Sequence, residues 1–231
     1  MNYGVILLGG DSLRTSTSLP KQYIVIGQKE VFLYPFELFL KNSQIDKIIL
    51  VTNKDYVDFV RLRLVNYKIK KEIFVVEGGT SRQDSSYLAL RFIKDNEKDT
   101  KDINVIIHDA ARPLLTTKVL NAVINELKNS EAITTFIPSY DSLLISQNGE
   151  TVDEYKPRNS LYRIQTPQAF KFDLVLQAHE EALLKKYNDI TDDSVLVKRM
   201  NHSIKMVMGD PFNFKITTFD DLILLRKIIE G

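Results

Sequence analysis

One feature constrains this chain more than any other. Short, continuous runs of β-branched and other apolar residues alternate with longer segments of helical period almost from end to end. Lys47–Thr52 reads KIILVT, Glu72–Glu77 reads EIFVVE and Asn104–His108 reads NVIIH. The continuous β-branched run Lys47–Thr52 is expected to be covered on both faces, as in a parallel sheet between two layers of helices, Asn104–His108 reads as another buried strand and Glu72–Glu77 as a strand. Tyr3–Leu8 reads as the first such strand. Ala132–Ile137 and Ile204–Met208 read as later ones, with a short strand over Phe214–Thr217. Helical periodicity covers Val31–Asn42, Lys54–Tyr67, Ser81–Asp95, Thr117–Asn129, Lys171–Lys186, Asp192–Arg199 and Asp220–Ile229. Pro35 falls in or near the first turn of its helix, where a missing N–H does little harm. Repeated strand–helix–strand units with right-handed crossovers reduce the topology to an α/β, Rossmann-like doubly wound, mostly parallel sheet. With no internal repeat and no linker, residues 1–231 are expected to form a single domain.

Composition narrows the function classes. Thirty-one Lys and Arg against 30 Asp and Glu leave a net charge of +1, which argues against nucleic acid as a partner. A chain that is 44% hydrophobic and 26% charged has enough apolar surface to fold, which excludes disorder and low complexity. The absence of cysteine removes disulfides, thiolate zinc sites and a Cys nucleophile. His108, His179 and His202 lie far apart, without metal-ligand spacing. No stretch approaches the roughly 18 apolar residues of a membrane span. The run Val5–Leu8 passes into Gly9-Gly10 without a basic flank or cleavage site, so it reads as a buried strand and the expected location is cytoplasmic.

The segment 138–165 breaks the rhythm. Leu143–Ser146, Gln147-Asn-Gly-Glu150 and Thr151-Val152 predict a β-hairpin around an Asn-Gly turn. Strands this short carry no core of their own. The protruding β-hairpin arm therefore either packs on another subunit or lies as a plain surface hairpin.

Four clusters carry chemistry. The loop after the first strand holds Gly9, Gly10 and Arg14, then Pro20-Lys21-Gln22. Loops at the carboxyl ends of parallel strands line the ligand crevice, glycines let backbone N–H groups approach an anion, and Arg14 and Lys21 add charge. A tight turn with two solvated cations is the bland alternative, and Pro20-Lys21-Gln22 favours phosphate. The spacing is that of neither a dinucleotide fingerprint nor a P-loop. The second cluster, His108-Asp-Ala-Ala-Arg-Pro113, sets Asp109 and Arg112 where they can hold a metal-bound phosphate or orient a hydroxylated substrate. An internal Asp109–Arg112 ion pair is the alternative, and His108 reads as a satisfied structural histidine. In the third, Gln165-Thr-Pro-Gln168, Thr166 offers a hydroxyl, although alone the segment is only a loop. The fourth places Lys215 among apolar residues, which calls either for an anion or carboxylate to meet it or for edge exposure. Asp192 and Asp193 sit at a helix start, and at least one reads as a capping charge.

Taken in order, these clusters resemble the sugar- and polyol-phosphate nucleotidyltransferases, and within them the 2-C-methyl-D-erythritol 4-phosphate cytidylyltransferase family. The ribitol-5-phosphate cytidylyltransferases are close relatives. The resemblance runs through nearly the whole chain. It is carried by Gly9-Gly10, Arg14, Pro20-Lys21-Gln22, Gly78-Gly79 with Arg82 and Ser85, and His108–Pro113. Arg158-Asn159, Gln165–Gln168, Thr191–Asp193 and Asn213-Phe-Lys215 continue it. Thr191–Ser194 and Ala110-Ala111 look like the methylerythritol branch, whereas Tyr162 leans toward the ribitol branch. The family's first loop usually has glycine and methionine around its arginine; Ser12 and Thr15 stand there. If Ser12 needs positive φ, it adds roughly 1 kcal/mol of strain.

The resemblance implies a magnesium-dependent attack by a polyol phosphate on the α-phosphorus of CTP, releasing pyrophosphate, for isoprenoid precursor synthesis. It implies Arg14, Lys21 and Lys215 around the α-phosphate, and Gly9, Gly10, Gly79 and Ser85 against the nucleotide. Asp109, Arg112, Ser142, Arg158, Thr166 and Thr191 are implied at the acceptor, with Asp109 also toward the metal. Thr80 stands where many relatives carry an acid. In relatives the arm crosses to a second subunit, so a homodimer is implied. A Rossmann oxidoreductase would need a GxGxxG turn, which is absent. A weak, non-catalytic nucleotide-binding homologue would not need Arg14, Lys21, Asp109 and Lys215 together.

Overall fold

The computed structural model describes residues 1–9, 19–67, 70–187 and 190–231. In chain order the strands are β1 (Asn2–Leu7), β2 (Val25–Ile26), β3 (Lys29–Glu30), β4 (Lys47–Thr52), β5 (Glu72–Glu77) and β6 (Asn104–Asp109). They continue as β7 (Ala132–Pro138), β8 (Leu143–Ile145), β9 (Glu154–Lys156), β10 (Tyr162–Lys171) and β11 (Lys205–Met208). The helices are α1 (Leu33–Lys41), α2 (Val57–Leu64), α3 (Arg82–Asn96), α4 (Thr117–Glu126), α5 (Phe172–Leu184), α6 (Asp193–Arg199) and α7 (Phe219–Glu230).

A seven-stranded sheet in the order β11-β7-β10-β6-β1-β4-β5 organises the molecule, with every pairing parallel except those of β10. The run KIILVT shows why. Ile48 and Leu50 enter one core with Ile6, Leu8 and Ile106 beneath α1 and α4. Ile49 and Val51 enter a second core with Val5, Leu7, Val105 and Ile107 beneath α3, α5 and α6. Successive residues of one strand feed opposite faces, so each position must be apolar. Ser81 caps α3 through a reciprocal bond pattern with Asp84, and Thr218 does the same for α7 with Asp221. Pro35 is the third residue of α1, as its missing donor allows.

The chain leaves β1 toward β4 and β5 and later returns to β1's other side as β6. This reversal makes β1/β6 the topological switch point, and the register sets Leu7 beside Asp109 at the carboxyl ends.

Three expectations are corrected. The segment Gln165–Gln168 is not a loop but part of β10, a central strand antiparallel to both β6 and β7. Pro167 speaks against a strand in sequence; it is accommodated because the β10–β7 register shifts between Gln165 and Ala169. The arm's second strand is Glu154–Lys156, with Ile145 opposite Glu154, so Asn148-Gly149 lies inside a longer loop. There the Asn148 carboxamide oxygen accepts the N–H groups of Glu150 and Thr151 at 2.9 Å each, which replaces a two-residue turn. Finally, Phe214–Thr217 is not a strand; Ile216 donates one backbone bond to the Ala111 carbonyl at 2.8 Å. No described helix is long and apolar enough to cross a membrane.

Candidate active site

A crevice of about 280 Å³ opens at the carboxyl ends of β1 and β6. Leu7, Gly9 and Lys21 close one side, the Gly79–Arg82 turn and Ser85 another, and Asp109, Ala111 and Lys215 a third. Asp109 is its one carboxylate among the described lining residues. The Arg82 Nε lies 3.0 Å from Asp109 Oδ1, and the Lys215 Nζ lies 2.8 Å from Oδ2. The Arg112 Nε stands 3.9 Å from the same Oδ2. Burial alone would raise the Asp109 pKa; Arg82, Lys215 and Arg112 overturn that and hold it well below the usual carboxylate range.

Arg82 reaches further, placing Nη1 2.8 Å from Asp193 Oδ2, while the other Asp193 oxygen meets His179 Nε2 at 3.0 Å. Burial alone would raise the Asp193 pKa; Arg82 and His179 together overturn that and hold it well below the usual carboxylate range. Asp192 caps α6, as predicted for at least one of the pair. The reach of Arg82 to Asp193 was missed in the sequence. A signal existed: a guanidinium in the first turn of a helix opposes the dipole and calls for a carboxylate partner.

His108 is structural. The Thr166 hydroxyl accepts the Asp109 N–H at 3.1 Å and lies 3.0 Å from His108 Nδ1. The His108 Nε2 faces the Arg112 carbonyl, which can only accept, so Nε2 carries the proton and the Thr166 hydroxyl donates to Nδ1. Burial pushes His108 down to about 4 and keeps it neutral. Arg112 spends its fork on the carbonyls of Asn213 and Ile164, at 3.1 and 3.3 Å. Thr166 and Arg112 thus fasten the Asp109 loop to β10 and to the Lys215 segment.

Lys215 is met by the Asp109 carboxylate, as the first of its two sequence readings expects, and its 40% exposure lies on a segment outside any strand. Lys21 is buried at the start of a single 3₁₀ turn, Lys21–Tyr23. Arg14 and Gly10, with Ser12 and Thr15, lie outside the described residues. Ser142 and Arg158 meet each other on the exposed arm, Nη2 donating to Oγ at 2.8 Å, and neither lines the crevice. Thr191 is exposed and lies outside the lining as well.

The glycine pair is required by close approach. A Cβ on Gly78 would sit 2.9 Å from Ser85 Oγ, and one on Gly79 would sit 2.2 Å from the Asp84 Cβ. Gly79→Ala must displace either the crevice wall or the start of α3. If the crevice takes the nucleotide that the resemblance implies, its affinity, read by calorimetry, should fall about tenfold, as overpacking of about 1–3 kcal/mol implies; an unchanged affinity would remove Gly79 from the ligand wall.

A doubly wound sheet with a cation-lined crevice at its switch point defines the class: an α/β protein built to bind a phosphorylated ligand. Known proteins narrow it. The profile of the 2-C-methyl-D-erythritol 4-phosphate cytidylyltransferase family, IspD, matches residues 3–231. The enzyme of that name from Clostridioides difficile is 35% identical over 97% of this chain and 92% of its own. A ribitol-5-phosphate cytidylyltransferase from Lacticaseibacillus paracasei is 30% identical over 97% of this chain and 96% of its own. A crystal structure of 4-diphosphocytidyl-2C-methyl-D-erythritol synthase from Anaerococcus prevotii superimposes with a TM-score of 0.85 at 30% identity, covering 100% of this chain and 96% of that one. The chain belongs to the 2-C-methyl-D-erythritol 4-phosphate cytidylyltransferase family and is a nucleotidyltransferase.

Proposed function

We propose that the protein transfers a cytidylyl group from CTP to 2-C-methyl-D-erythritol 4-phosphate, a step in isoprenoid precursor synthesis. A phosphate oxygen of the acceptor bonds to the α-phosphorus, the bond from that phosphorus to the bridging oxygen of the β-phosphate breaks, and pyrophosphate leaves with the electron pair. The attacking dianion already carries its charge, so no general base is needed, in keeping with a neutral, doubly bonded His108. The demand is neutralisation of two polyanions. The observation that carries the reading is the charge around the crevice: Lys21 on one wall, Lys215 and Arg82 on the others, with a single carboxylate between the latter two. Lys21 and Lys215, with Arg14, are the proposed contacts to the α-phosphate; Gly9, Gly79 and Ser85 are the proposed nucleotide wall.

Among the described residues no three acids or histidines gather to cage a metal. Asp109 alone fits a magnesium ion that arrives on the nucleotide phosphates, since such ions take one or two carboxylates plus phosphate oxygens. Bound there by Asp109 and the triphosphate, it would neutralise charge on the leaving pyrophosphate.

We place the acceptor phosphate near Arg158, supplied by the arm of a second copy. The arm exposes Leu143, Leu144, Ile145, Val152 and Tyr155, an apolar surface that two three-residue strands do not bury. Leu144→Asp is expected to sediment as a monomer and to lose turnover; a dimer that persists would move the interface elsewhere.

The experiment that tests the activity is pyrophosphate release from CTP and magnesium with methylerythritol 4-phosphate and ribitol 5-phosphate in parallel. The first is the expected substrate. Preference for the second would favour the ribitol reading that the L. paracasei relative supports, and no release with either would sink both.

A further inference from the structure

The two lysines at the crevice belong to segments nearly two hundred residues apart, and neither lies on a strand of the central sheet. Something must hold them in register. The 3₁₀ turn of Lys21 is bonded to the end of the β2–β3 hairpin: Phe32 donates to the Gln22 carbonyl at 2.9 Å and Val31 to the Ile24 carbonyl at 3.0 Å. Ile26 and Val31 of this hairpin join Ile216, next to Lys215, and Leu222 and Leu225 of α7 in a small core separate from the two main ones. Asp221, in the first turn of α7, completes the link. Its Oδ2 accepts the backbone N–H of Thr217 at 2.7 Å and of Thr218 at 2.8 Å, which fixes the chain just after Lys215. Burial alone would raise the Asp221 pKa; the bonds from Thr218 and Thr217 overturn that and draw it down, the Lys21 charge adding last.

We propose that α7 is a clamp that sets the distance between Lys21 and Lys215, with Asp221 as the positioning residue. Asp221 touches no reacting atom; it acts on the Lys215 segment through two backbone bonds, and the small core beside it ties that segment to the hairpin that holds the Lys21 turn. The inference rests on the reading of both lysines as phosphate ligands.

The test compares Asp221→Ala, which removes both backbone bonds, with Thr218→Ala in steady-state pyrophosphate release, thermal melting and a cycle with Lys21→Ala. Thr218→Ala removes the hydroxyl that caps α7 but keeps the Asp221 charge and its bonds to the Thr217 and Thr218 amides. We expect Asp221→Ala to lower kcat on the order of tenfold, as misplacing catalytic groups does, with KM for CTP within about twofold. Thr218→Ala should also lower the melting point but leave kcat within about twofold. In a Lys21→Ala background the Asp221→Ala loss should largely vanish, because interacting groups are non-additive. Equal losses of kcat in the two single variants, or full additivity with Lys21→Ala, would overturn the clamp. If Lys21→Ala itself turns over normally, the reading of Lys21 fails instead.

Discussion

Lys215→Ala is expected to lower kcat roughly 10²–10³-fold, the loss seen when one preorganised donor to a developing charge is removed. The fold should be untouched. The side chain is 40% exposed and belongs to no hydrophobic cluster, so the urea midpoint should fall only by the share Lys215 contributes to Asp109, less than in an Arg82 variant. The carboxylate it leaves behind stays satisfied, because Arg82 still holds Asp109 Oδ1 at 3.0 Å and Arg112 remains beside Oδ2. Burial, Arg82 and Arg112 therefore still decide the state of Asp109, and Asp109 stays ionised. Lys215→Arg should recover only part of the rate, since a planar fork does not reproduce a point charge. Pyrophosphate release in single turnover is the measurement. A loss below about fivefold would take Lys215 out of the transition state.

Arg82→Leu should have the opposite profile, with its largest effect on stability. Arg82 bridges Asp109 and Asp193, at 3.0 and 2.8 Å, and both carboxylates are buried. Removing one partner of a buried ion pair leaves an uncompensated charge and costs about 3–5 kcal/mol. For a chain of this length that lowers the melting point by about 10 °C. In the wild type Asp193 is depressed, so its contribution is present above the ordinary aspartate range and is lost only in strong acid. In the variant Asp193 keeps only the His179 nitrogen at 3.0 Å, and burial then raises its pKa above the unfolded value. Protonation relieves the variant, so the stability gap should narrow as pH falls from 7 toward about 4. Denaturant melts of both proteins across that range check the sign; a gap that is constant or widens toward acid would show that Arg82 does not neutralise Asp193.

How much of this was legible depended on distance along the chain. The run at Lys47–Thr52 shows its bounds in sequence because a strand covered on both faces writes its burial into nearly every residue; Glu72–Glu77, a half-buried edge strand, shows them through its β-branched and aromatic run between glutamates. Asn104–Asp109 fell one residue from its reading. β10 was not legible: Pro167 and the polar Gln165 and Gln168 obscure a central strand whose polar side chains are satisfied only by tertiary partners. Gln168 Nε2 meets Thr134 Oγ1 at 2.9 Å and Asp192 Oδ1 at 3.0 Å, and Gln165 Nε2 meets the Asp210 carbonyl at 2.9 Å. The reading that placed Lys215 in a short strand failed because apolar residues there pack into the small α7 core rather than onto a sheet.

By itself the sequence determined the layered α/β architecture and the positions of most of its strands and helices. These follow from local period, propensity and the obligation to bury apolar faces. Only the tertiary structure decided that β10 runs against its neighbours and that Asp109 is shared among three cations. It alone decided that Arg82 ties this cluster to Asp193, and that α7 joins the two lysines. The reason is physical: a side chain's charge is written in the sequence, but its partner and desolvation are set by residues about a hundred positions away that only folding brings within 3 Å.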